Sequence, residues 1–233
     1  MNGETKKKSV GSVLYDDVMG GLRPMIPFVA GGGILMAISF MFGMRIGDNS
    51  VNQFAKILYE IGHNNAMLLM IPIFAGFIAH TIAGQDALAP GMIGGMIAKT
   101  TGSGFLGGIV AGFLAGYLVK LLNKLLSNFP EDFQSIKKLL IIPVISTFLV
   151  GIVMLCVVSV PMAWLNQGLT GFIDGLGTQN LVLTGMVIGG MMAVDLGGPI
   201  NKVAYTFAVA AISNGNYYPM AAAMVGGVVP HLV

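Results

Sequence analysis

Charge is what this chain has least of. Only 9% of its 233 residues are Asp, Glu, Lys or Arg, against 55% hydrophobic, and the mean hydropathy is +0.82. A soluble domain carries about a quarter charged residues. So little polar material cannot coat a globular surface, and lipid must be part of the solvent. Cysteine is also scarce: Cys156 stands alone, inside an apolar run. That excludes a disulfide framework and a cysteine-built metal centre. Apolar surroundings disfavour a thiolate there. No Walker-type Gly-rich loop and no metal-ligand spacing occurs, so no cofactor, metal or catalytic residue is expected. The net charge of +2 is small and scattered, with no basic tract to follow a phosphate backbone, which excludes nucleic acid as a partner. Lys6-Lys7-Lys8 is followed by mixed polar residues rather than an apolar core. That is a poor cleavable signal peptide.

What is present in quantity is glycine, 34 residues, and long apolar runs. The reading is an all-α integral membrane protein, a polytopic helical bundle. Residues 1–13 read as a cytoplasmic tail, held inside by the lysines. Span one is expected over Leu22–Gly43, with Pro24 and Pro27 early, where helix starts tolerate proline. Asp48-Asn49-Ser50 caps an amphipathic segment with Val51, Phe54, Leu58 and Ile61 on one face. Such a segment lies in the membrane interface or on a partner subunit. Span two is expected over Asn64–Ala83, with His80 near its end.

Gly104, Gly108, Gly112 and Gly116 recur every fourth residue in the charge-free run 100–119. This small-xxx-small face predicts a close helix contact. The Lys120–Lys138 connection carries four lysines against Glu131 and Asp132, so it prefers the cytoplasm. With the N-terminus inside, an even number of crossings must precede it. That parity requires Ala87–Ala98 to cross as a short helix buried in protein. A span is expected over residues 139–165, within the longest charge-free run, with a kink expected at Pro143, an end near Pro161, and Trp164 in the interfacial belt.

Late in the chain Gly189-Gly190-Met191-Met192-Ala193-Val194-Asp195-Leu196-Gly197-Gly198-Pro199-Ile200-Asn201-Lys202 places charge between apolar stretches. No Asp, Glu, Lys or Arg lies between Gly175 and Val194, and none follows Lys202. Glycine costs about 1 kcal/mol in a helix and proline about 3, so Gly197-Gly198-Pro199 breaks or re-enters. Two readings are open: a polar site beside a cavity at membrane depth, or a loop with its charges in water.

Gly197-Gly198-Pro199-Ile200-Asn201-Lys202, followed by Ala204-Tyr205-Thr206-Phe207, resembles the signature of a known family. That family is the fructose family of membrane sugar-transporting subunits (enzyme IIC) of the bacterial phosphoenolpyruvate-dependent phosphotransferase system. Arg23-Pro24-Met25-Ile26-Pro27-Phe28-Val29-Ala30-Gly31-Gly32-Gly33 resembles its first span, and Ala87-Leu88-Ala89-Pro90-Gly91-Met92-Ile93-Gly94-Gly95 its Gly-Leu-Ala-Pro-Gly segment. The resemblance runs from about Leu14 to Val233. Two departures stand out: Ala83-Gly84-Gln85-Asp86 replaces the usual Ala-Asp-Arg-Pro, and Val229-Pro230-His231-Leu232 replaces Val-Pro-Pro-Leu.

The resemblance implies a homodimeric permease of the bacterial inner membrane. Residues 14–165 are then a scaffold and dimerisation half, and 166–233 the start of the sugar-transport half. The family's second, glutamate-bearing sugar signature is not in this sequence, so a C-terminally truncated chain is expected. The substrate implied is a fructose-like hexose, contacted by Asn201, Asp195 and Lys202 with the backbone at Gly197, Gly198 and Pro199. The partner implied is a cytoplasmic phosphoryl-carrier domain (enzyme IIB). This chain has no phosphoryl-accepting Cys or His of its own, and membrane lipid is its other partner. Lys202 either neutralises Asp195 or binds a hydroxyl. The remaining alternatives are an ion-coupled secondary transporter and a non-transporting scaffold that dimerises through its glycine face.

Overall fold

The computed structural model describes residues 10–42, 52–127, 130, 133–175, 181–194, 204–205, 207–209, 211–212 and 215–228. Every regular element among them is helical, the form that satisfies its own backbone in lipid. Four rods are long and apolar enough to cross a membrane: Gly11–Met41, Gln53–Ala83, Gly104–Leu125 and Gln134–Gly168. The chain is an all-α, multi-pass membrane protein.

Helix α1 (Val10–Met41) begins at Val10 rather than Leu22 and keeps Pro24 and Pro27 inside it. Its first residues are mostly exposed, Val13 and Leu14 among them, whereas Asp17 is buried. Helix α2 (Gln53–Tyr59) runs through a π turn over Glu60–Ala66 into α3 (Met70–Ala83). The amphipathic segment is therefore the first part of a 31-residue apolar rod. Its packed face is its small residues, not its large apolar ones. Ala55 and Gly62 are buried, while Phe54, Ile57 and Ile61 stay exposed. At Gly62 a Cβ would lie 2.6 Å from the Gly32 carbonyl oxygen of α1, so only a glycine lets these backbones meet.

Helix α4 (Leu88–Thr100) covers the segment expected as a short helix over Ala87–Ala98. Its 13 residues span about 20 Å, well under a hydrocarbon core of about 30 Å. Protein surrounds it instead: Pro90, Gly91, Gly94, Gly95 and Ala98 are buried. It runs antiparallel to α3, Gly95 meeting Pro72 and Gly91 meeting Gly76. The turns at its two ends need φ near +75° at Gly84 and Gly102, a region that side chains with a Cβ rarely enter.

Helix α5 (Gly104–Leu125) lies parallel to α3 and also packs on α4, where a Cβ on Gly94 would lie 3.1 Å from Ala111. A Cβ at Gly108 would sit 2.7 Å from Ile71 Cγ2, at Gly112 2.8 Å from the Ala75 carbonyl oxygen, and at Gly116 2.8 Å from Ile82. Phe74 and Phe105 stack at 4.4 Å in the same seam. Three of the four repeated glycines thus face α3 of the same chain. That removes the stripe as the basis of a scaffold that dimerises through it.

Three pieces make the fourth rod: α6 (Gln134–Ile136), α7 (Ile142–Val153) and α8 (Ser159–Gly175), joined by π turns over Lys137–Ile141 and Met154–Val158. The helix does not end at Pro161. Each π turn lies just before a proline, Pro143 or Pro161, and the widened turn accommodates the ring and its missing N–H. Lys137 is buried and donates from Nζ to the Leu126 carbonyl at 2.6 Å. It caps the end of α5, where carbonyls lack partners.

At the opposite end the α4–α5 turn is pinned to α8. The buried Ser103 hydroxyl donates to the Ser159 carbonyl at 3.1 Å, and Asn166 Nδ2 donates to the Gly102 carbonyl at 3.2 Å. At Gly104 a Cβ would lie 2.8 Å from the Asn166 amide. Beyond α8 come α9 (Leu181–Val194) and α10 (Tyr218–Val228). These pack chiefly on each other, at a crossing where a Cβ on Gly226 would meet the Gly189 Cα at 2.5 Å.

Candidate functional site

The six residues expected to hold substrate, Asp195, Gly197, Gly198, Pro199, Asn201 and Lys202, lie outside the described residues, as does His231. Helix α9 leads up to them and ends at Val194. Helical pieces resume at Ala204 and Tyr205. Between α9 and α10 lies an open groove of about 620 Å³. Its walls are Gly185, Gly189, Gly190, Ala193, Ala221 and Ala222 with neighbouring aliphatics. None of those side chains can hydrogen-bond a hydroxyl.

A second concavity is smaller and polar. About 230 Å³ lies between the π turn at the head of α3, the C-terminal end of α4, and the turn before α10. His63, Asn64, Lys99 and Tyr217 supply the polar groups, and Met67 and Ile212 are among its apolar walls. The π turn organises one side. Asn65 Nδ2 donates to the Glu60 carbonyl at 2.8 Å. Asn64 Nδ2 donates to the Glu60 carboxylate at 2.5 Å, and Asn64 Oδ1 meets His63 Nδ1 at 2.8 Å. The His63 ring stacks on Tyr59 at 4.9 Å.

That chain of bonds assigns the imidazole. A carboxylate only accepts, so Asn64 turns its NH₂ to Glu60 and its oxygen to His63. Nδ1 of His63 is then the donor to the Asn64 oxygen. On the far wall Lys99 is half-buried, and among the described residues its ammonium has no hydrogen bond.

From sequence alone His63 reads as solvated or headgroup-facing, and Asp86 as a plain loop charge ahead of a contact with Lys99 or a neighbouring domain. Asp86 and Lys99 stand at opposite ends of α4. Asp86 instead accepts from Asn123 of α5 at 3.3 Å. The cleft was still signalled, because Lys99 is the one charged residue between Asp86 and Lys120. His80 makes no bond across helices among the described residues; its ring lies 5.9 Å from Phe77 on the same helix. Cys156 is exposed on the outer side of the fourth rod between exposed Leu155 and Val157.

The sequence pattern of the family described as Phosphotransferase system, EIIC matches residues 19–233. The chain belongs to the phosphotransferase EIIC family. It is 48% identical over 98% of its length to the PTS system fructose-specific EIIABC component of Bacillus subtilis, covering 37% of that protein. It is 49% identical over 79% of its length to the Fructose permease IIC component of Bacillus amyloliquefaciens, covering 61% of it. The PTS system fructose-specific EIIB'BC component of Escherichia coli is 45% identical over 98% of the chain, which covers 40% of that protein. The chain thus spans from over a third to about three fifths of the length of these relatives. No solved structure matches it.

Proposed function

We propose that this EIIC chain is the membrane part of a fructose-specific permease that binds a hexose and carries it inward for phosphorylation. The observation that carries this reading is the identity of 45–49% to relatives named as fructose-specific or fructose permeases. A separate phosphoryl-carrier domain of the EIIB type supplies the reactive group. The relatives' fused EIIAB and EIIB'B parts, as their names print them, support that partner. The EIIC chain's task is then recognition and positioning, holding a sugar hydroxyl where an incoming phosphoryl donor meets it.

In this reading residues 14–165 form the scaffold of a homodimer and 166–233 begin the transport half, the two meeting within α8. The N-terminus and the Lys120–Lys138 connection face the cytoplasm, in keeping with their lysines. Asn201 reads sugar hydroxyls, since an amide donates and accepts at once. Lys202 neutralises Asp195, and the backbone at Gly197, Gly198 and Pro199 offers further polar groups.

The test is phosphorylation of fructose by membranes carrying the full-length reading frame, with and without the purified phosphoryl donor. Donor-dependent fructose phosphate is expected. Fructose accumulated unphosphorylated, or driven by an ion gradient, would overturn the reading in favour of a secondary transporter. Asn201→Ala should weaken fructose binding by about 1–3 kcal/mol, the cost of stranding buried polar partners, with membrane level unchanged. Wild-type affinity in that variant would remove Asn201 from the site.

A further inference from the structure

We propose that the polar cleft between the head of α3, the end of α4 and the turn before α10 is an entry site for a hexose. It opens on the side of the membrane opposite the Lys120–Lys138 connection. The proposal rests on the permease reading and adds to it a second sugar site, separate from the residues of the Gly-Gly-Pro signature.

Two observations point to a hydroxyl-rich ligand. The first is hydrogen-bonding type. Lys99 offers only donors, and the Tyr217 hydroxyl both donates and accepts. A sugar hydroxyl also does both, so it can be matched from either wall. The second is the apolar share of the lining. Met67 and Ile212 can take the C–H faces of a sugar ring while the polar groups take its edge.

The architecture agrees. A π turn inside a long helix weakens its backbone ladder and recurs at functional positions. Here it places His63 and Asn64 on one wall, with Asn64 bonded back to Glu60. Lys99 is the one charged residue between Asp86 and Lys120, and it lines this cleft. The two walls also come from different parts of the chain. His63, Asn64 and Lys99 belong to the helices ahead of α5, whereas Ile212, Gly215 and Tyr217 follow shortly after the signature. A hexose held between them touches the segment that leads back to Asn201.

Sidedness makes the site testable. The full-length reading frame is placed in right-side-out vesicles loaded with the donor proteins, and in inside-out vesicles with donor and fructose added together outside. In right-side-out vesicles Lys99→Met should raise the KM for fructose about tenfold, and Tyr217→Phe about threefold, as expected for one charged and one neutral hydrogen bond. Lys99→Arg should recover part of the loss. In inside-out vesicles, where sugar need not pass the cleft, the KM of all three variants should match wild type. Tyr217→Phe removes a single oxygen and carries the test if Lys99→Met fails to assemble.

Wild-type kinetics from both sides in the variants would overturn the entry site while leaving the permease reading intact. An equal loss from both sides would overturn it too, by moving Lys99 to the translocation site or to folding. Inorganic phosphate that competes with fructose from outside in wild type, but not in Lys99→Met, would mark an anion site and also overturn it. Wild-type vesicles that phosphorylate no hexose in either orientation would sink the permease reading and this site together.

Discussion

Two glycine-built contacts in this molecule do opposite things. In the α3–α4–α5 unit, glycines on all three helices sit against backbone or branched side chains of a neighbour, turn after turn. Between α9 and α10 a single close crossing, Gly189 on Gly226, carries the approach. On either side of it Val182, Met186, Met224 and Val225 are more than half exposed. Lipid tails are as apolar as leucine, so helices in a membrane associate through packing and polar contacts rather than hydrophobic burial. A seam with many interlocked positions is therefore held far more strongly than one with a single crossing. The first is suited to a fixed frame and the second to an element that shifts against its surroundings.

The sharpest way to break this comparison is to force side chains into the dense seam. Gly108→Leu with Gly112→Leu drives two branched side chains into Ile71, Ala75 and Ile78. Overpacking costs about 1–3 kcal/mol at each site, and here part of the obstacle is backbone, which cannot rotate away. Loss of assembled protein in detergent, read by size-exclusion and by the unfolding midpoint, is the expected result. A double variant that assembles and melts like wild type would mean that α3 and α5 are not in contact.

The corresponding insult at the single crossing is Gly226→Val. It meets the Gly189 backbone and should part α9 from α10, at about 1–3 kcal/mol. The loss should be confined to these two helices. Limited proteolysis around residues 176–180 and 213–216 should accelerate, while the core fragment holding α1–α8 melts at its usual temperature. A drop in that core transition as large as for the α5 double variant would erase the distinction between the two contacts.

How much of this could be read from the sequence follows the same division. The four-residue glycine repeat in α5 announced a close seam, and the short glycine-rich segment over Ala87–Ala98 announced a helix buried in protein. Both depend on local pattern, which a sequence displays. The sequence did not show which partner the glycines meet, because small residues fit any backbone. It also did not show that residues 53–59 continue into α3. Their large apolar side chains imply a surface, and the structure packs the small ones. The π turns were invisible because no residue type marks them, although the prolines that follow were plain. The polar cleft was missed for a different reason. His63, Lys99 and Tyr217 are far apart in sequence, so no local pattern joins them.

A smaller effect separates packing from polar pinning. Ser103→Ala removes the hydroxyl that bridges the α4–α5 turn to the Ser159 carbonyl. Interhelical hydrogen bonds in membranes average about 0.6 kcal/mol and reach about 1.7. A loss within that range is expected in the unfolding free energy of the full-length protein. A loss several times larger would mean that the polar pin, and not the glycine seam, sets the stability of the frame.

The smallest expected effect sharpens the comparison most. Gly31 on α1 and Gly190 on α9 both have open space where a Cβ would go. Alanine there adds no clash and removes backbone freedom from the unfolded chain, a gain of about 0.4–1 kcal/mol. If both helices meet only lipid at these points, Gly31→Ala and Gly190→Ala should each raise the unfolding midpoint slightly and leave fructose phosphorylation unchanged. Gly190 also lines the apolar groove between α9 and α10, and there the outcome is diagnostic. If Gly190→Ala in the full-length protein lowers stability or slows transport while Gly31→Ala does neither, another helix fills the groove. The single crossing would then be one contact of a larger seam, and the contrast between a dense frame and a sparsely held pair would fail.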